Sequence, residues 1–291
     1  MLHALGIDRA PAPGEAWPRV WWVPGGMLSL LPLHAAGHHA ERHDGHAPRT
    51  ILDRAVSSYT PTIRALRHSR EHARMPADPV AGRSLIVAMP TTPGLPDGAP
   101  LPHVATEARR LRELLPAPVL LTQPRAEDAV GVPSKAAVLA RLPQCAIAHF
   151  ACHGITYSDD PSQSRLLLSD HESDPLTVTT LAPVNLERAR LAYLSACGTA
   201  FAVKGSLLDE AIHLTSACQL AGFPHVVGTL WDINDAVSAE VAAMFYTGLR
   251  TEDGSLDTSR AARALHDAVR ALRGRYLNTP SMWAAYIHAG A

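Results

Sequence analysis

The sequence has little that would hold a chain together other than a hydrophobic core. Four cysteines, Cys145, Cys152, Cys197 and Cys218, are spread over 291 residues, too sparse for a disulfide framework, and none forms the C-x-x-C pair of a zinc site. Long apolar runs are lacking. The most apolar early stretch, residues 20–33, is broken by Pro24, Gly25, Gly26 and Pro32, and reads neither as a membrane span nor as a secretory leader. Net charge is lacking as well: 26 Lys+Arg stand against 27 Asp+Glu, a formal charge of −1, which leaves no overall field to gather nucleic acid. Lysine is almost missing, since 24 of the basic residues are Arg and only Lys135 and Lys204 are Lys. With abundant Ala and Pro this records GC-rich codon usage, because the arginines are scattered rather than clustered. No repeat of solenoid period occurs, and no G-x-S-x-G elbow, so a serine hydrolase of that type is excluded. The expectation is a soluble cytoplasmic protein with reduced thiols, binding neither nucleic acid nor membrane.

What is present is a globular composition, 47% hydrophobic and 18% charged, far from the low-hydrophobicity, high-charge profile of disordered chains. Apolar runs of strand length lie at residues 20–23, 85–89, 119–121, 146–150, 166–168, 191–194 and 226–230. Most lack polar alternation, as buried parallel strands do when helices cover both faces. Helical patterns fall between them. Thr60 followed by Pro61 reads as a helix start. Residues 103–115 place Val104, Ala108, Leu111 and Leu115 on one stripe. Ser134 precedes a short helix, and further helices are expected at 207–220, 238–249 and 259–276. This alternation predicts an α/β sheet with crossover helices. The Pro- and Arg-bearing stretch 74–82 separates an N-terminal subdomain, 1–82, from a main subdomain, 83–291.

Two segments carry chemistry. In Ala148-His149-Phe150-Ala151-Cys152-His153-Gly154 a buried strand ends in a histidine and a glycine. Ligands gather at the carboxyl ends of strands in open parallel sheets, and Gly154 allows close approach to the backbone. In Leu191-Ala192-Tyr193-Leu194-Ser195-Ala196-Cys197-Gly198-Thr199-Ala200 a second apolar strand ends in a cysteine. The two residues are 44 positions apart, room for a hairpin and a crossover before a neighbouring parallel strand. Strand ends lie ~4.8 Å apart, so a histidine and a cysteine leaving them form the minimal equipment for acyl transfer. The imidazole manages protons and the thiolate attacks a carbonyl, with the N–H groups of Gly154 and Cys197 as oxyanion donors. A buried cysteine is also an ordinary small core residue, so spacing alone leaves both readings open.

Other features carry less. Cys152, next to His153, faces the opposite side of its strand and packs inward. The run His34, His38, His39, His43, His46 offers helical metal spacing at 39 and 43, but its only acids are Glu41 and Asp44, so a solvated loop is expected and no metal or organic cofactor.

The two chemical segments resemble the signature stretches of the CHAT domain, the caspase-like domain often found beside TPR repeats. Further resemblances run along the chain: Pro24-Gly25-Gly26-Met27-Leu28-Ser29-Leu30-Leu31-Pro32-Leu33, Ser58-Tyr59-Thr60-Pro61, the stretch from Ala221-Gly222 through Leu230-Trp231-Asp232-Ile233-Asn234-Asp235, and Pro280-Ser281-Met282-Trp283-Ala284-Ala285-Tyr286. The resemblance implies a caspase–hemoglobinase fold, a three-layer sandwich with a mainly parallel central sheet and helices on both faces. It implies a cysteine endopeptidase with His153 and Cys197 as its dyad, acting on protein or peptide substrates without a cofactor. Relatives that cut after Arg or Lys hold an acid in the specificity pocket. Asp232 and Asp235 are the first candidates for that role here, although Asn234-Asp235 also reads as a helix cap. Asp209 and Glu210, acids suited to a helix start, come second. The competing reading is a silent or latent signalling module that binds protein partners. The sequence carries no helical repeat, so a regulatory module is expected either in a separate protein or in a longer chain of which this sequence is a part.

Overall fold

Short runs of Val, Ile, Leu and Ala become the buried strands of one eight-stranded sheet in the computed structural model, which describes residues 2–39, 49–75, 82–157, 160–195 and 211–291. In chain order the strands are β1 (Arg19–Trp22), β2 (Val56–Tyr59), β3 (Ser84–Ala88), β4 (Pro118–Thr122), β5 (Ile147–Ala151), β6 (Gly154–Ile155), β7 (Arg165–Leu166), β8 (Leu176–Thr177), β9 (Leu191–Ser195), β10 (His225–Thr229) and β11 (Tyr286–Gly290). The large sheet has the order β1-β2-β11-β10-β9-β5-β3-β4, and β6-β7-β8 form a small antiparallel sheet. Every pairing in the large sheet is parallel except β10 with β11. Strands β1 and β2, from residues 1–82, join the sheet through β11.

The helices are α1 (Ile63–Ala73), α2 (Val104–Leu114), α3 (Lys135–Arg141), α4 (Val178–Leu181), α5 (Ala211–Ala221), α6 (Asp235–Leu249) and α7 (Ala261–Arg275). Alternating strand residues divide between two cores. Ile147, Ala151, Leu191 and Tyr193 face the apolar stripes of α2, α6 and α7. Ala148, Phe150, Cys152, Ala192 and Leu194 face the other layer, with Val138 of α3, Leu181 of α4 and Leu214 of α5. Both faces are thus covered, as a sheet with so little polar alternation requires.

The strand runs from 85–89, 119–121, 146–150, 191–194 and 226–230 and the stripe of α2 match the sequence pattern, and Ser134 caps α3 by accepting from Ala137 N. The start of α1 differs from the expected one. Thr62, not Thr60, is the cap, its hydroxyl accepting from Ala65 N, while the Thr60 hydroxyl is engaged by donating to the Thr62 carbonyl. Strands β2 and β11 had no separate signal, because Ser57, Ser58 and His288 dilute their apolar runs, and the four-residue helix α4 is too short to show a helical period.

Candidate active site

The connection order makes the site. Strand β3 is followed by β4 on one side, and the chain then crosses to place β5 on the other. That reversal opens a crevice beyond the carboxyl ends of β3 and β5, where α/β sheets bind ligands. The loop after β3 and the residues after β5 meet there: the Met89 N–H donates to the Ala151 carbonyl, 2.9 Å, and His153 Nε2 lies 2.9 Å from the Ala99 carbonyl oxygen. A carbonyl only accepts, so this contact places the proton on Nε2 and leaves Nδ1 as the basic nitrogen of the neutral ring. His153 is partly exposed.

The loop that supplies this carbonyl is closed on itself. Thr92 N–H donates to Gly98 O, Leu101 N–H to Pro90 O and Ala99 N–H to Pro96 O, at 2.7, 2.8 and 2.9 Å. Asp97 and Ala99 have φ of 51° and 38°, left-handed values that cost a non-glycine residue roughly 1–2 kcal/mol. The closing hydrogen bonds hold Ala99 in that conformation, with its carbonyl toward the imidazole.

Gly154 begins β6, an edge strand paired only with β7 in the small sheet. Leu167 N–H donates to His153 O, 2.8 Å, and Gly154 stands opposite Leu166. In an antiparallel ladder the bonded pair 153/167 makes 154/166 the non-bonded pair. The Gly154 N–H therefore points away from β7, on the strand's outer side.

On the neighbouring strand, Ser195 ends β9 in register with Ala151 of β5. Cys197 follows two residues later in the sequence and lies outside the described residues, as do Asp209 and Glu210. Asp232 and Asp235 follow the carboxyl end of β10, the next strand over. Asp232 is exposed. Asp235 Oδ2 accepts from His103 N, 2.9 Å, tying the first turn of α6 to the start of α2. Asn234 caps α6 by accepting from Ala236 and Val237 N–H.

Beneath the crevice lies a polar cluster that the sequence reading missed. Glu107 of α2 is 2% exposed, and its Oε1 is 3.0 Å from His149 Nε2 and 2.8 Å from Ser195 Oγ. His149 Nδ1 meets the Tyr246 hydroxyl at 3.1 Å, and Ser195 Oγ meets Ser238 Oγ at 2.7 Å. Tyr193 stacks on His149 with ring centroids 5.0 Å apart. Burial pushes the Tyr193 and Tyr246 phenols well above their ordinary pKa, and the Glu107 charge adds to the effect. The available signal was an acid inside the apolar stripe of α2, between Val104 and Ala108.

The histidine run builds no metal site among the described residues. His34 is buried and bonded to the Tyr59 hydroxyl at 2.8 Å, and His39 Nε2 is 2.7 Å from Ala35 O; His43 and His46 lie outside the described residues. A cavity of about 900 Å³ lies at the opposite end of the sheet, beside Ala146, Arg190 and His225 at the amino ends of β5, β9 and β10. No described helix is long and apolar enough to cross a membrane.

Compared with known families, the chain matches the model of the CHAT domain over residues 2–291. It belongs to the CHAT family. Among curated proteins no sequence relative matches. Among solved structures this CHAT domain is similar to the separase of Saccharomyces cerevisiae in its complex with securin. The two share 16% identity with a TM-score of 0.52, over 82% of this chain and 14% of that one. It is also similar to the Arg-specific cysteine proteinase gingipain R, at 11% identity and a TM-score of 0.49, over 82% of this chain and 55% of that one. The CHAT domain therefore has the α/β fold of the caspase-like cysteine peptidases, with a large, mainly parallel sheet between helices. It spans about one seventh of the separase chain's length.

Proposed function

We propose that this CHAT domain is a cysteine endopeptidase in which His153 and Cys197 form the dyad. The observation that carries the reading is the register of β5 and β9: Ala151 faces Ser195, and His153 and Cys197 each follow two residues beyond that pair. Strands ~4.8 Å apart bring residues so placed within reach of one substrate carbonyl.

The chemistry follows from the tautomer that Ala99 imposes. His153 Nδ1 takes the Cys197 thiol proton, and the thiolate sulfur attacks the scissile carbonyl carbon. The charge that develops on oxygen is held by the Gly154 and Cys197 N–H groups. The imidazolium then protonates the departing amine nitrogen as the C–N bond breaks, leaving a thioester. Water, deprotonated by His153, attacks the thioester and expels the thiolate, releasing the acid.

Asp232 and Asp235 leave the adjacent strand on the same side of the sheet, which favours Lys or Arg before the cut. Regulation by a separate protein is part of this reading. The structural relative separase is solved with securin bound, and a partner that stabilises the competent state would raise the active population.

The test is turnover of a peptide library by the wild type and by Cys197→Ala. Cleavage by the wild type alone supports the endopeptidase. Equal cleavage by both overturns the mechanism, and cleavage by neither favours the silent or latent partner-binding module.

A further inference from the structure

A buried carboxylate is expensive. Removing its charge from water costs several kcal/mol in a protein interior unless hydrogen bonds replace the lost hydration. Apolar residues of similar volume would stabilise most such positions as well or better. Glu107 is nevertheless retained in the α2 layer, surrounded by side chains that are themselves 0–1% exposed: His149, Ser195, Ser238 and Tyr246.

The donors converge on it. Ser195 Oγ–H donates to Glu107 Oε1, so the 2.7 Å contact between the two serines runs from Ser238 to Ser195. With His149 Nε2–H donating to Glu107 Oε1, Nδ1 accepts from the Tyr246 hydroxyl. One carboxylate oxygen thereby gathers a side chain from β5, a side chain from β9 and, through Ser238, helix α6.

The position of these bonds along the strands matters. Ser195 is the last residue of β9, in register with Ala151 at the end of β5, so the carboxylate grips the nucleophile's strand where the ladder ends. The helix bearing Glu107 begins five residues after Ala99, whose carbonyl orients His153. Its first turn is further tied to α6 by the bond from His103 N to Asp235. Helix α2 is thus a single rigid piece joined to the histidine at one point and to the end of the cysteine's strand at another.

We propose that Glu107 is a positioning residue of this site, acting through Ser195 to set the end of β9 relative to the His153 loop. The proposal rests on the dyad reading above. Its mechanical content is that a displacement on the order of 1 Å between reacting groups lowers rate by about 10²-fold, whereas loss of the single bond from Ser195 to the Glu107 carboxylate removes only a fraction of the fold's stability.

The experiment measures capture of Cys197 by the peptidyl chloromethyl ketone, among those ending in Arg, Lys, Asp or Leu, that reacts fastest with the wild type. Ser195→Ala removes the donor, and Glu107→Gln keeps side-chain size and an acceptor oxygen while removing the charge. Iodoacetamide reaction at Cys145, Cys152 and Cys218, all buried, monitors folding in the same samples. The proposal predicts that each variant captures ketone ~10- to 100-fold more slowly, with those three cysteines as protected as in the wild type. The double variant falls no further than the slower single one, because both changes break one link. Capture at the wild-type rate by the folded variants would overturn the positioning role and leave the dyad intact. Alkylation of the buried cysteines in both variants would assign the cluster to the fold alone and equally overturn it. A wild type that no ketone captures at Cys197 would overturn the dyad reading and this proposal with it.

Discussion

His153 Nε2 donates to the carbonyl oxygen of Ala99 at 2.9 Å, and Ala99 is held at a left-handed φ of 38°. The strained residue is therefore the one that fixes which imidazole nitrogen is basic. Strain of this kind persists where surrounding structure over-determines it, as the closed 90–101 loop does here.

From this geometry His153→Ala abolishes peptide cleavage without loss of fold. The side chain is partly exposed and touches the loop through one ring nitrogen, so its removal costs at most about 1 kcal/mol of stability. Cleavage assays and thermal melts on the same preparation check both halves. Residual turnover at the wild-type rate, or a melt showing gross destabilisation, would contradict the account.

For specificity, the expectation is an Arg or Lys preference that falls in Asp232→Ala, in Asp235→Ala, or in both, read as the ratio of kcat/KM for Arg and Leu substrates. Asp235→Ala carries an additional structural effect. It removes the acceptor for His103 N, a bond worth roughly 1 kcal/mol, so its stability is measured in parallel. An Arg preference unchanged in both variants would remove these residues from the pocket.

Acid lability follows from buried histidines. Burial lowers His34 and His225 to about 4 and His266 to about 3, from an ordinary 6.5; neighbouring Arg19 adds to the effect at His225, and Arg270 and Arg263 at His266. His288, 3.1 Å from His225, is held well below 6.5, by burial first. The unfolded chain binds protons at these sites below about pH 6.5 while the folded chain does not. Their stabilisation is fully present above that pH and is lost as pH falls toward 4. Urea midpoints at pH 7.5 and pH 5 should differ by the equivalent of a few kcal/mol. Equal midpoints would show that these imidazoles do not remain neutral in the folded protein.

A second stability prediction concerns the N-terminal region. Asp53, 2% exposed, receives Arg273 Nη2 and Nη1 at 2.6 and 2.8 Å, fastening the segment before β2 to α7. Arg273→Met leaves the carboxylate buried and without that guanidinium, at a cost of ~3–5 kcal/mol. Asp53→Leu combined with Arg273→Met recovers most of the loss. Denaturant melts decide it, and a single variant as stable as the double would be inconsistent with a buried pair.

The central strands were readable because their sequences are uniformly apolar: residues 85–89 and 191–194 fit strands buried between two helical layers. The two residues of the proposed dyad stand out in the sequence by following apolar strands, although that position alone also fits ordinary core residues. Strands β2 and β11 were not readable, since Ser58 and His288 interrupt their apolar pattern and find their partners far along the chain: each other at 2.9 Å across 230 residues, Arg19 for Ser58 and His225 for His288. Long-range polar pairing of that kind leaves no local trace. The same holds for Ala99, whose contribution is a backbone carbonyl and so is independent of its side chain. Glu107 left a weak trace, a charge on the buried side of an amphipathic helix, but its partners lie 42 and 88 residues away.

The account's central claim, that Cys197 is a nucleophile activated by His153, is tested most directly by peptide-resolved mass spectrometry after exposure to peptidyl ketones ending in Arg, Lys, Asp or Leu. The prediction is labelling confined to Cys197 among the four cysteines, strongest with Arg or Lys and lost in His153→Ala. Labelling of Cys197 no greater than that of Cys145, Cys152 and Cys218 would contradict it.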